Sequence, residues 1–208
     1  MRVLVTRPKH DIANHYLYFW TGKVIRWAKG KKVDIIDLEK EKSNQKTVRG
    51  YLKKDWANMA LLNGHGNEHA IYGHNDEELF STKDNLSFLR NKTIFMRACR
   101  AGQTLGTEAI KAGAKAVVGY KEDFKFWHHK DYLHQPLKDP LARPYMEASN
   151  QVSVSLLKGH SALEAHIKSL ATYKKEIVKM LNSESDPSLL PDLLHNMMNQ
   201  VCIEGDKG

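Results

Sequence analysis

A chain of 208 residues with 41% hydrophobic and 27% charged residues has the make-up of an ordinary globular protein and is long enough for one well-buried core. Its apolar runs, such as Val33 to Leu38 and Met59 to Leu62, stop far short of the roughly 18 residues a membrane span needs, and the opening MRVLVTRPKH breaks with Arg and Pro where a secretory signal would stay apolar. The net charge of +8 favours acidic partners, but the basic residues are dispersed, and two isolated cysteines, Cys99 and Cys202, suggest neither a disulfide framework nor a pair of CxxC knuckles.

Taken along the chain, short β-rich runs alternate with amphipathic stretches through the first 120 residues, the pattern of a parallel sheet covered by helices on both faces. The expected strands are Val3 to Thr6, Val33 to Leu38, Met59 to Asn63, Thr93 to Ala98 and Ala116 to Tyr120. Between the first two, Ile12, Tyr16, Phe19, Trp20, Val24 and Trp27 recur at helical spacing and are read as core. The densest basic cluster, Lys29, Lys31 and Lys32, falls where this helix should end, so it is read as cations meeting the negative helix pole rather than as a nucleic-acid patch. Further helices are expected over Gln45 to Lys53, Asn85 to Arg90 and Thr104 to Ala112.

Residues 121–140 (KEDFKFWHHKDYLHQPLKDP) have no clean period and are read as a long loop, too aromatic for a passive linker. Trp127, Phe124 and Phe126 would serve there either as a substrate lid or as anchors on the sheet. Helical spacing resumes with Tyr145, Ser149, Val152 and Leu156, closed by Gly159. Ser161 and Glu164 form an S-x-x-E capping box for a helix running to Leu181, and a last helix is expected from Ser188 to about Val201. The reading is therefore one domain over 1–208, with a sheet core at about 1–120, the loop at 121–140 and a helical part at 143–203.

Chemistry in an open parallel sheet gathers beyond the carboxyl ends of the strands. Two expected strands run into reactive residues: ALLN into Gly64, His65 and Gly66, and TIFMRA into Cys99. If these strands are neighbours, an imidazole and a thiol face each other across one cleft. Glycines beside His65 let the backbone turn sharply and a substrate carbonyl approach. A helix soon after Cys99 would favour its thiolate, and the amides of Gly66 and Cys99 could bind an oxyanion.

The segments ALLNGHGNEHAIYG and TIFMRACRAGQTLGTEAIKAGAKAVVGY resemble the His-Gly and Ala-Cys blocks of clan CD cysteine peptidases, which include caspases, metacaspases, gingipains, separases and prokaryotic CHAT domains. The caspase signature is Q-A-C-[RQG]-G with its His about 50 residues upstream. Here the string is RACRAG and the separation is 34 residues, a departure that points away from a true caspase and toward a prokaryotic cousin. The stretch RPYMEASNQVSVSLLKGHSALEAHIKSLATYKKEI is similar to the helical tail of CHAT-type domains, so the likeness covers roughly residues 55–180. It implies a caspase-like three-layer α/β sandwich, with a mostly parallel central sheet flanked by helices. It also implies a cysteine endopeptidase in which Cys99 attacks the scissile carbonyl and His65 protonates the departing amine, with no obligatory third residue; the cytoplasmic setting is read instead from the two isolated cysteines and the opening segment. A protein substrate and a regulatory sensor or partner protein follow, with no cofactor, no membrane and no direct nucleic-acid ligand.

In the family the residue two before the nucleophile often lines the primary pocket. Arg97 there predicts an acidic residue before the scissile bond, while Glu122 and Asp123 after the fifth strand could line the same pocket with the opposite sign. Neither His69 with His74, nor His128, His129 and His134, has the frame of a metal site, so no metal is expected. Cys202 is read as inert. The rival readings are a catalytically silent caspase-like scaffold and a basic nucleic-acid-binding domain resting only on the charge.

Overall fold

The structure, a computed structural model, describes residues 1–31, 33–54, 56–182 and 187–205. In chain order the elements are β1 (Arg2–Arg7), α1 (Ile12–Lys29), β2 (Asp34–Glu39), α2 (Gln45–Lys53), β3 (Met59–Asn63), β4 (Ala70–Tyr72), β5 (Glu78–Ser81), β6 (Thr93–Arg97), α3 (Thr104–Lys111), β7 (Ala116–Tyr120), α4 (Arg143–Leu157), α5 (Ala162–Leu181), α6 (Leu190–Asn199) and β8 (Gln200–Glu204). Six strands form one sheet in the order β2-β1-β3-β6-β7-β8, and β4 pairs with β5 in a separate antiparallel hairpin. All pairings within the large sheet are parallel except the last, where β8 runs against β7.

Alternation along the central strands makes three layers, because successive side chains point to opposite faces. Leu4, Ala60, Leu62, Ile94, Met96 and Val117 face one way and pack with Val48 and Leu52 of α2 and Leu105 and Ala109 of α3. Their neighbours Val3, Val5, Met59, Leu61, Phe95 and Val118 face the other way, onto Val24 and Ile25 of α1 and Val152 and Leu156 of α4. Burying each of the Val, Leu, Ile, Phe and Met side chains is worth about 1.5–3 kcal/mol.

The five strands expected from β-rich runs are present, and the capping box of Ser161 with Glu164 opens α5 as read. Gly159 adopts φ 89, the left-handed conformation that terminates α4. Four features differ. Asn85 to Arg90 forms only a 3₁₀ turn, Leu86–Leu89, held by the Asn85 side chain accepting from the Ser87 N–H. The β4–β5 hairpin was not foreseen, since strands of three and four residues carry too little alternation to register. Ile12 is exposed, and the buried face of α1 instead includes Asn14, Thr21 and Gly22. Finally, α6 stops at Asn199 and the chain continues as β8, its Val201, Cys202 and Ile203 completing the sheet beside β7. Of the basic cluster, Lys29 lies in the last turn of α1 and Lys31 covers the Trp27 ring, while Lys32 lies outside the described residues.

Cys202 is half-buried on β8, and burial, with Glu204 adding to it, lifts its thiol from 9.0 to about 11. Between those values the folded chain keeps a proton that the unfolded chain has released, so this group's contribution to stability falls as pH rises through the window. Cys202→Ala is expected to flatten the loss of stability between pH 9 and 11, read as urea midpoints for the two proteins. Parallel pH profiles would show that the sulfur contributes nothing.

Candidate active site

The sheet order dictates where a site can form. From β1 the chain crosses to one side to make β2 and returns to the other side to make β3, so a crevice opens between the carboxyl ends of β1 and β3. The loop after β1 supplies Asp11, and the loop after β3 supplies His65. Asp11 is the N-cap of α1, its side chain accepting from the Asn14 N–H at 2.8 Å. His65 Nε2 donates to Asp11 Oδ2 at 2.5 Å, while its ring remains 40% exposed. Burial by itself would raise the Asp11 carboxyl, but the Asn14 N–H and the His65 ring outweigh it and hold the group below the usual carboxylate range. Asp11 is the residue that the sequence reading missed. Its signal was an Asp immediately before the first apolar position of a helix.

Parallel pairing of β3 with β6 places Asn63 opposite Arg97. His65 and Cys99 each lie two residues beyond that pair, so both emerge at the same rim of the sheet. The loops carrying them touch: a Cβ on Gly66 would lie 2.8 Å from both the Ala98 Cβ and the Cys99 carbonyl oxygen. Glycine is therefore required at position 66, for approach rather than for a turn. The hairpin braces the His65 loop through Tyr72 N–H donating to the His65 carbonyl and Asn67 N–H to that of Ala70. These bonds come from the residues on either side of Gly66 in its bridge to Ile71, which leaves the Gly66 amide outside the pairing.

Cys99 is half-buried. Burial pushes its thiol above the ordinary range; the Phe124 N–H draws it back and Asp123 adds to the rise. The expected help from a helix N-terminus is not there. Gln103 is the N-cap of α3, four residues after Cys99, and a helix field fades within its first turn. Among the described residues, the thiol and the His65 ring share no hydrogen bond.

Arg97 must be corrected. Its side chain is 1% exposed and lies in the layer between sheet and helices, not at a pocket floor. Nε donates to Asn63 Oδ1 at 3.0 Å, one terminal nitrogen to Asn150 Oδ1 at 2.7 Å and the other to Thr21 Oγ1. Asn63 in turn exchanges hydrogen bonds with Thr6. This polar knot ties β1, β3 and β6 to α1 and α4 directly beneath the rim. Desolvation lowers the guanidinium to about 10, so it stays charged at neutral pH.

The segment after β7 does lie along the nucleophile loop. Glu122 offers its carbonyl to the Arg100 N–H, its own side chain is exposed, and Asp123 pairs with Arg100 at 2.9 Å. Beyond it, the 121–140 loop is stitched to the body. Asp139, fully buried, accepts from the Tyr16 hydroxyl and the His129 N–H, and Trp20 Nε1 donates to the Pro136 carbonyl. Phe124 and Phe126 pack into the core clusters and Trp127 bonds Asp192, so these aromatics are anchors. Neither histidine set considered from spacing gathers as metal ligands among the described residues. A different group, His10, Asp11, His65 and Asp76, brings its ligand atoms together.

No protein-family model matches the chain, and no curated protein matches it in sequence. Solved structures do. The complex of the pro- and mature domains of RgpB from Porphyromonas gingivalis matches 99% of this chain and 47% of its own, at 14% identity and a TM-score of 0.55. Caspase-1 from Spodoptera frugiperda matches 98% of this chain and 84% of its own, also at 14% identity, with a TM-score of 0.46. At this identity the RgpB likeness shows the fold alone, an α/β sandwich around a mostly parallel sheet.

Proposed function

We propose that the chain is a cysteine endopeptidase that cuts a partner protein through His65 and Cys99. The observation that carries this reading is the shared offset of the two residues beyond the Asn63–Arg97 pair, which brings an imidazole and a thiol to one rim. With Nε2 engaged by Asp11, His65 Nδ1 is the nitrogen available to substrate. The Cys99 thiol rests protonated, so attack begins with its proton passing to Nδ1 as sulfur bonds the scissile carbonyl carbon. Gly66 and Cys99 N–H groups hold the oxyanion. On collapse the C–N bond breaks, and the leaving amine takes the proton from Nδ1. Water, deprotonated by the same nitrogen, then hydrolyses the thioester and restores the thiol. Glu122 and Asp123, beside Arg100 of the Cys99 loop, would line the approach of the substrate chain. With Arg97 buried, a preference for an acidic residue before the scissile bond has no basis; Asp123 is paired with Arg100, and Glu122 is left exposed beside it.

Two unpaired, half-buried thiols are consistent with a reducing, cytoplasmic setting. Kinship with CHAT-type domains, and with it control by a sensor or partner protein, rests on the segment likenesses described above. The elevated thiol favours a second reading, a silent scaffold that retains the cleft. The test is a proteome-wide comparison of new protein termini produced by wild type and by Cys99→Ala. Cleavages present with wild type and lost by more than about 10³-fold in the variant are expected. Identical termini with the two proteins would leave the scaffold.

A further inference from the structure

Three loops bring four metal-ligating side chains to one point above the β1–β3 crevice. His10 and Asp11 come from the loop after β1, His65 from the loop after β3, and Asp76 from the turn between β4 and β5. One ligand atom from each lies within 4.8 Å of all the others. His10 Nε2 stands 3.3 Å from Asp11 Oδ2 and 3.1 Å from Asp76 Oδ1. A four-coordinate zinc ion, with bonds of about 2.0–2.2 Å, holds its ligand atoms about 3.3–3.5 Å apart. Two edges of the group are therefore close to tetrahedral length, while the His65–Asp11 edge, at 2.5 Å, would have to open as the ion takes the place of the proton between them.

His10 Nε2 stands between two carboxylates with one N–H in the neutral ring to offer them, and Asp11 Oδ2 meets the Nε2 atoms of both His10 and His65 besides accepting from the Asn14 side chain at 2.9 Å. His10 Nδ1 is buried with no hydrogen-bond partner among the described residues, so every polar contact of this ring runs through the atom aimed into the group. The ring is 12% exposed and packs edge-on against His65 and His74. His74 is itself held by the Lys9 N–H donating to its Nδ1 at 3.2 Å. Two imidazole nitrogens and two carboxylate oxygens suit zinc, and a divalent cation would balance both carboxylates at once.

We infer that His10, Asp11, His65 and Asp76 form a zinc site, and that zinc bound there withdraws His65 from work on a substrate. Zinc on Nε2 confines the ring's proton to Nδ1, which can then no longer accept one from Cys99. This inhibitory role rests on the peptidase reading; the site does not.

The test titrates zinc against a chromogenic chelator, using full-length Cys99→Ala/Cys202→Ala protein so that no thiol competes. One zinc per chain is expected. His10→Ala and the exposed Asp76→Ala should each weaken affinity at least tenfold, and His69→Ala should leave it unchanged. No zinc uptake, or equal affinity in all three variants, would overturn the site. In a second arm, wild-type cleavage should fall as zinc saturates the site, and Asp76→Ala should need at least tenfold more zinc for the same loss. Cleavage that persists at saturation overturns the inhibitory role. A protein that binds zinc but cleaves nothing counts against the peptidase reading and its inhibition, and leaves the site standing.

Discussion

Asp11→Asn is expected to lower kcat by on the order of 10²–10⁴, with KM and thermal stability nearly unchanged. Asp11 does two things, and this substitution separates them. As N-cap it accepts from the Asn14 N–H, a task asparagine performs as well as aspartate, so stability should move by less than about 0.5 kcal/mol. As the carboxylate beside His65 Nε2, it fixes which ring nitrogen carries the proton and favours the imidazolium that forms when Cys99 is deprotonated. An amide can present its NH₂ to Nε2 instead and reverse the tautomer, which is why the loss can reach the full worth of a general acid–base group. Reporter-peptide kinetics with melting curves on the same samples check this. If kcat and melting temperature fell together, the residue's role would be structural only. Because its carboxyl is held below the ordinary range, Asp11's contribution to stability is present above the usual carboxylate pKa and is lost as pH falls through the folded value. Starting from near-equal stability at neutral pH, wild type should therefore lose stability relative to Asp11→Asn in strong acid.

Arg97→Met is expected to destabilise the fold by about 3–5 kcal/mol, the cost of removing one member of a buried polar network and stranding the others. Asn150 and Thr21 would lose the donor they now have, and Asn63 Oδ1 would keep only the Thr21 hydroxyl, against a side chain that can bond none of them. Methionine restores much of the volume, so the loss reports the hydrogen bonds more than a cavity. Urea unfolding with an unchanged m-value checks it, and a change below about 1 kcal/mol would mean the network contributes little. Because the knot joins β3 and β6 at the residues that precede His65 and Cys99, surviving protein should also cleave more slowly.

These two residues mark where sequence reading stopped. The strands were legible because Leu4, Ala60, Leu62, Ile94 and Met96 alternate with residues facing the opposite layer, and period two survives in any order of strands. His65 and Cys99 were legible because each directly follows such a strand. Arg97 was misread because its position in the chain, two before a reactive cysteine, says nothing about which face of the sheet receives it. Thr21 and Asn14 were hidden within an aromatic stripe whose apparent centre was too far toward Ile12. In β8, the short run of Val201, Cys202 and Ile203 was absorbed into the preceding helix, since only pairing with β7 makes it a strand.

Periodicity and turn chemistry are properties of neighbours along the chain, so the layers, the helix caps of Ser161 and Gly159 and the reactive strand ends followed from order alone. The partnership of Asp11 with His65, the gathering of His10 and Asp76 around them and the burial of Arg97 belong to residues 34 to 76 positions apart. Those meetings depend on strand order and on a register matched to one residue, and both are decided by the free energy of the packed sheet as a whole.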